Sequence, residues 1–154
     1  MSRAALIEKI RQYPDEVEAL IEGLSESQMT AHAIEGEWTL AQNIHHLADS
    51  HVFSFMRYKR MLTEDNPSFN LYDEDAFAET YEATVGDVST ALAILRALHM
   101  RWVVSLENLT EAEWARTGYH PTGGDVTVER QFELTVAHGE AHLAQIQKTK
   151  MALE

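Results

Sequence analysis

A chain of 154 residues fits one domain, spanning 1–154, and leaves no room for a second substantial core. Its 12 Lys and Arg against 25 Asp and Glu give a formal charge of -13, which argues against nucleic acid or an anionic membrane surface as partners. With no cysteine, disulfides, thiolate metal sites and a Cys nucleophile are excluded together.

Seven Gly, three Pro and only 8 % aromatic residues point to helices rather than a turn-rich β fold. The first helix is read from Leu6, Ile10, Val17, Leu20 and Ile21 and runs up to Gly23, with Pro14 expected to kink or restart it. Thr39-Leu40-Ala41-Gln42 is a capping-box pattern opening a second helix to about Thr63, before Asp65-Asn66-Pro67. A polar connection from Glu64 to Val85, with one short helix around Asp75 to Tyr81, leads to a third helical stripe. That stripe carries Val88, Leu92, Leu95, Leu98, Trp102 and Leu106 and ends near Asn108. Thr110 to Glu113 caps a short turn, Gly118 to Gly124 reads as an irregular loop, and Thr127 caps a fourth helix through about Lys150. Together these elements predict an all-α four-helix bundle with long connections.

The N-terminus reaches Glu8 and Lys9 before an apolar stretch of signal-peptide length forms, so a cytoplasmic protein without a membrane span is expected. On the second helix Val52, Phe53 and Met56 widen the apolar face of Ile44, Leu47, Phe55 and Tyr58. A homodimer would cover that surface, unless the Glu64 to Val85 connection folds over it.

Among eight histidines, His138 and His142 lie one turn apart on the fourth helix, so both imidazoles can reach one cation. A third ligand must come from another helix, and His45, His46 and His51 of the second are the obvious donors. Taking Ile44, Leu47, Ala48, Phe55 and Tyr58 as the core stripe places His51 near its centre and His46 opposite, beside Gln42, Asp49 and Phe53. Periodicity favours His51, unless both faces of the helix are buried. A zincin needs His-Glu-x-x-His, but Gly139 follows His138 and Glu140 points elsewhere on the helix. Gly139 itself is either a site of close backbone packing or a tolerated weak spot.

In order along the chain, Trp38-Thr39, His45-His46-Leu47-Ala48-Asp49-Ser50-His51, Leu62 to Pro67, Tyr72-Asp73-Glu74, His99-Met100-Arg101-Trp102, Tyr119-His120-Pro121 and His138-Gly139-Glu140-Ala141-His142 resemble the DinB-like superfamily. Within it they are most similar to the YfiT-like proteins, described as metal-dependent hydrolases or bacillithiol transferases. The resemblance covers nearly the whole chain. It implies a DinB/YfiT-like bundle topology and a metal held by His46, His138 and His142, choosing His46 over His51. Gly139, Glu140, Ala141 and Gln145 stand where YfiT-like chains often carry further histidines.

Asp49 and Gln42 lie on the His46 side of the second helix, where either could orient an imidazole, although capping or solvation also explains them. Arg57, Arg101 and His120 could meet an anionic substrate, but a charged surface and a loop anchor account for them, so they stay outside the predicted site. Trp38, Trp102 and Trp114 read as core or staple residues.

The expected function is a metal-dependent enzyme acting on a small molecule. A divalent zinc, nickel or iron ion would activate water, or a low-molecular-weight thiol such as bacillithiol, with Asp49 as a weak proton acceptor. The alternative is a non-catalytic metal- or ligand-binding stress-response domain. Ligating imidazoles must be neutral, so metal binding is expected to weaken as pH falls through about 6.5.

Overall fold

The computed structural model describes residues 1–153. In chain order it forms α1 (Arg3–Ile21), α2 (Glu26–Met29), α3 (Leu40–Thr63), α4 (Glu74–Ala78), a 3-10 turn (Tyr81–Thr84), α5 (Ser89–Leu106), α6 (Glu111–Trp114), β1 (Thr117–His120), β2 (Gly124–Thr127) and α7 (Val128–Met151). The four long helices form a four-helix bundle in which α1 and α3 each pack against both α5 and α7.

Cross-helix contacts fix the directions. Arg3 meets Glu129 and Tyr13 meets Gly139, so α1 and α7 run parallel. His51 meets His99 and Tyr58 meets Ser105, so α3 and α5 also run parallel. Arg11 meets Glu107 while Arg96 meets Asp15, which makes α1 and α5 antiparallel. Asn43 meets His142 and His46 meets His138, which makes α3 and α7 antiparallel. α1 and α3 therefore sit diagonally, as do α5 and α7, while the consecutive α3 and α5 are parallel neighbours, an arrangement the long 64–85 connection allows.

The α3 start is the predicted capping box: the Gln42 N–H donates to Thr39 Oγ1 at 3.1 Å, and the Thr39 N–H donates to Gln42 Oε1 at 3.0 Å. The Gln42 amide also donates to the Ala78 carbonyl, tying the connection to the helix. α3 is buried at nearly every position from Leu40 to His51, because α5, α7 and the 64–85 connection surround it. A single apolar stripe cannot sort the histidines of such a helix.

Three expectations change. Pro14 lies inside an unbroken α1. It removes the amide that would bond to Ile10, and His99 Nδ1 donates to the Ile10 carbonyl instead, at 2.9 Å. The segment read as an irregular loop is a hairpin in which Thr117 pairs with Thr127 and His120 with Gly124. Tertiary pairing supplies its order: the Phe69 N–H donates to the Tyr119 carbonyl, and the Tyr119 N–H to the Pro67 carbonyl. Gly118 is required there, since a Cβ would sit 2.4 Å from the Phe69 ring. The short helix of the connection lies at Glu74–Ala78, with the 3-10 turn following it.

The connection does fold over part of the wide apolar face. Phe53 stacks on Tyr72 with ring centroids 4.2 Å apart, leaving Val52 and Met56 exposed. No helix among the described residues is long and apolar enough to cross a membrane.

Candidate metal centre

His138 and His142 project from one face of α7, and the antiparallel α3 brings His46 against them. The Nε2 atoms of His46 and His138 are 3.3 Å apart, and those of His142 and His138 are 3.1 Å apart. Nitrogens about 2.0–2.1 Å from one tetrahedral ion would be separated by roughly 3.3–3.4 Å, so this spacing fits three ligands of a single cation. All three candidate ligand atoms lie within 4.8 Å of one another, and the cluster contains no carboxylate. These residues could hold a metal ion.

Asn43 orders this arrangement and escaped the sequence reading. Its Nδ2 donates to the Thr39 carbonyl at 3.1 Å, which fixes the amide so that Oδ1 faces His142 Nδ1 at 3.0 Å. His142 must then carry its proton on Nδ1, leaving the Nε2 lone pair for the cluster. A polar residue three positions before His46, at the fully buried end of a helix, was the available signal.

Trp38 was read as core or staple. It lies instead over the cluster, 4.8 Å from the His46 ring and stacked on His142 at 6.3 Å. Trp102 and Trp114 do sit in the core.

Burial dominates the electrostatics. Together with His142 and His138 it pushes the His46 imidazole down to about 3. It takes His142 down to about 4, with His138 adding to the effect, and it lowers His138 as well. All three rings are neutral at pH 7, the form that ligates a metal. His46 Nδ1 is buried without a hydrogen-bond partner.

His51 is absent from the cluster. Its Nδ1 lies 2.7 Å from His99 Nε2, and its ring centroid is 6.3 Å from that of His138. Because His99 Nδ1 donates to Ile10, His99 Nε2 must accept from His51, and His51 Nε2 is left as a buried acceptor without a partner.

Asp49 lines a small cleft with His45 and Glu82, and no hydrogen bond joins it to a clustered imidazole. Burial, reinforced by Glu82, raises its carboxyl above the usual range. Glu140 pairs with Lys9 on the exposed side of α7. Gly139 is a close-packing site: a Cβ there would lie 2.8 Å from the Tyr13 ring, whose hydroxyl donates to the Gly139 carbonyl.

Two cavities flank this region. One of about 620 Å³ between α1 and α7 includes Tyr13, His51 and Gly139 but no clustered imidazole. One of about 330 Å³ between α3, α7 and the connection has His138 in its wall.

A helical bundle in which three imidazoles from two helices converge offers the ligand set of a metal site, and comparison with known proteins identifies the family. Residues 9–146 match the DinB superfamily, and the chain belongs to it. "Putative metal-dependent hydrolase YfiT" of Bacillus subtilis (strain 168) is 38% identical over 141 residues, covering 91% of this chain and 79% of the relative. "Putative metal-dependent hydrolase BH0277" of Halalkalibacterium halodurans is 37% identical over 142 residues, covering 92% and 82%. The solved structure of YfiT from Bacillus subtilis superposes with a TM-score of 0.94 at 34% identity, over 99% of this chain and 90% of that one. That protein is described as "a probable metal-dependent hydrolase with an unusual four-helix bundle topology".

Proposed function

We propose that the protein is a metal-dependent hydrolase of small molecules in which His46, His138 and His142 hold one divalent transition ion, such as zinc, nickel or iron, through their Nε2 atoms. The observation that carries this is the 3.1 and 3.3 Å spacing of three neutral imidazole nitrogens, one on a buried and two on half-buried side chains. The names of the relatives support it. Bound there, the cation supplies Lewis acidity and a nucleophile at neutral pH, from water or from a small thiol.

The chain's own residues set the stage. Asn43 holds His142 in the ligating tautomer, Trp38 screens His46 and His142 from solvent on one side, and the cavity beside His138 gives access on another. Three protein ligands leave further coordination positions for solvent and substrate, whereas a purely structural brace would fill its coordination sphere with side chains. Asp49 lines a separate cleft with His45 and Glu82, so as a weak proton acceptor it would exchange with the site through solvent rather than by direct contact. The chain has no cysteine, so transfer of a thiol such as bacillithiol would need one added.

Elemental analysis of tag-free protein, followed by turnover of an ester and amide panel with and without added thiol, tests this assignment. One ion per chain and thiol-independent hydrolysis are expected. Strict dependence on a thiol would make it a transferase, and unfolding on metal removal with no turnover would make the metal a brace. Self-association through the exposed Val52 and Met56 is proposed on a narrower basis, and a monomer in light scattering at high concentration would discard it.

A further inference from the structure

We propose that the cavity of about 330 Å³ between α3, α7 and the 64–85 connection is the substrate pocket of the histidine cluster, and that Arg57 and Tyr72 in it select small molecules bearing a carboxylate. The inference deepens the hydrolase assignment and rests on it.

Position comes first. On α3, His46, Ser50, Phe53 and Arg57 recur at spacings of four, three and four, a single stripe of the helix. The backbone of Arg57 lies about 16 Å along the axis from His46, so the stripe runs from the cluster to the far end of the pocket. The pocket wall includes His138 at the near end and Arg57 at the other. A molecule held by Arg57 therefore extends toward the cluster.

Chemistry comes second. The Arg57 guanidinium is half-buried, lies over the Phe69 ring at 5.5 Å and donates from Nη2 to the Asn70 carbonyl. Its Nε–H is buried without a partner. None of the ion pairs among the described residues includes it. The Tyr72 hydroxyl is likewise buried and unpartnered, on a ring packed against Phe53 and Phe77. His120 adds a third donor: its Nδ1 accepts from the Thr122 N–H, which places its own proton on Nε2.

A pocket furnished with unmatched donors is complementary to a group that only accepts. The one carboxylate in its lining, Glu74, belongs to an exposed residue. A planar carboxylate takes parallel hydrogen bonds from a guanidinium, and a single Arg without Lys suits one negative charge rather than a phosphate dianion. Phe53, Leu71 and Leu134 accommodate a short apolar body between the acid and the cluster.

The test is isothermal titration of the metal-loaded protein with benzoate, benzamide and phenyl phosphate, alongside Arg57→Gln, Arg57→Lys and Tyr72→Phe variants of matched helicity and metal content. Benzoate should bind roughly tenfold or more tightly than benzamide, the gain expected of a charge-assisted pair. Arg57→Gln should abolish that preference, Arg57→Lys retain part of it, and Tyr72→Phe weaken benzoate several-fold. Metal-free protein should keep the preference, which separates Arg57 from direct ligation at the imidazoles. Equal binding of benzoate and benzamide, tighter binding of phenyl phosphate, or a preference surviving Arg57→Gln overturns the proposal. The wild-type discrimination decides even where a substitution unfolds the chain. An Arg57-dependent preference without hydrolysis of any ester would remove the hydrolase assignment and leave the carboxylate pocket, and hydrolysis without the preference would do the reverse.

Discussion

The Nδ1–H of His99 donates to the carbonyl oxygen of Ile10 at 2.9 Å, the acceptor that Pro14 leaves unpaired in the middle of α1. One proline thus sets the tautomer of His99, which sets that of His51 through the 2.7 Å bond between them. The chain of bonds crosses from α1 through α5 to α3, behind the histidine cluster. Replacing His99 by Leu removes a donor and an acceptor and strands Ile10 and His51, so a loss of about 3 kcal/mol in urea unfolding is expected, with metal content unchanged. A variant as stable as the parent would show that these bonds hold nothing in place.

The metal-free protein should lose stability on acidification, starting near pH 6.5. Burial holds His99 down at about 4 and lowers His51 well below its ordinary value, with His142 at about 4 and His46 at about 3. The unfolded chain takes up protons below about 6.5 while the folded one does not, so the stabilisation is complete above that pH and is lost as pH falls toward the folded values. His99 alone contributes on the order of 3 kcal/mol across that window. A flat urea midpoint between pH 6.5 and 4 would contradict this.

The same burial revises the expected pH dependence of metal loading. With His46 and His142 pushed down to about 3 and 4, protons compete for the ligands well below the 6.5 expected of free histidine. Because burial also lowers His138, the affinity measured in metal titrations should fall only below pH 6.5, at more acidic pH than for free imidazole ligands. Replacing His46, His138 or His142 by Ala should strip the ion, whereas His51→Asn should keep it. Equal loading in all four variants would remove the ligand assignment.

Asn43→Ala should weaken metal binding about 10- to 100-fold, since His142 loses the acceptor that fixes its ring. Asn43→Asp, which keeps that acceptor, should recover most of the affinity. Asp49→Asn should lower turnover only partly, because no hydrogen bond links Asp49 to the clustered rings.

Gly139→Ala pits two effects against each other. Helix propensity favours Ala by about 1 kcal/mol, while the new Cβ, 2.8 Å from the buried Tyr13 ring, forces repacking that costs about 1–3 kcal/mol. Net destabilisation of about 1 kcal/mol is expected in thermal unfolding. A rise in Tm would mean that Tyr13 yields freely.

The sequence by itself determined the four long helices, the α3 and α7 caps at Thr39 and Thr127, and the His138–His142 pair, because caps and one-turn spacing are local properties of the backbone. Helical periodicity placed His51 at the centre of a core stripe, and so it is, but bonded to His99 rather than grouped with His138. The family resemblance singled out His46 where periodicity could not, because α3 is enclosed on both faces and a periodic pattern carries no information where every direction is inward; the tertiary structure sets its ring beside those of His138 and His142. The ordering of the 117–127 hairpin, the roles of Asn43 and Trp38, and the continuity of α1 through Pro14 were decided the same way. Each depends on a partner far away along the chain: Pro67 and Phe69 for the hairpin, His142 for Asn43 and Trp38, and His99 for the carbonyl that Pro14 frees.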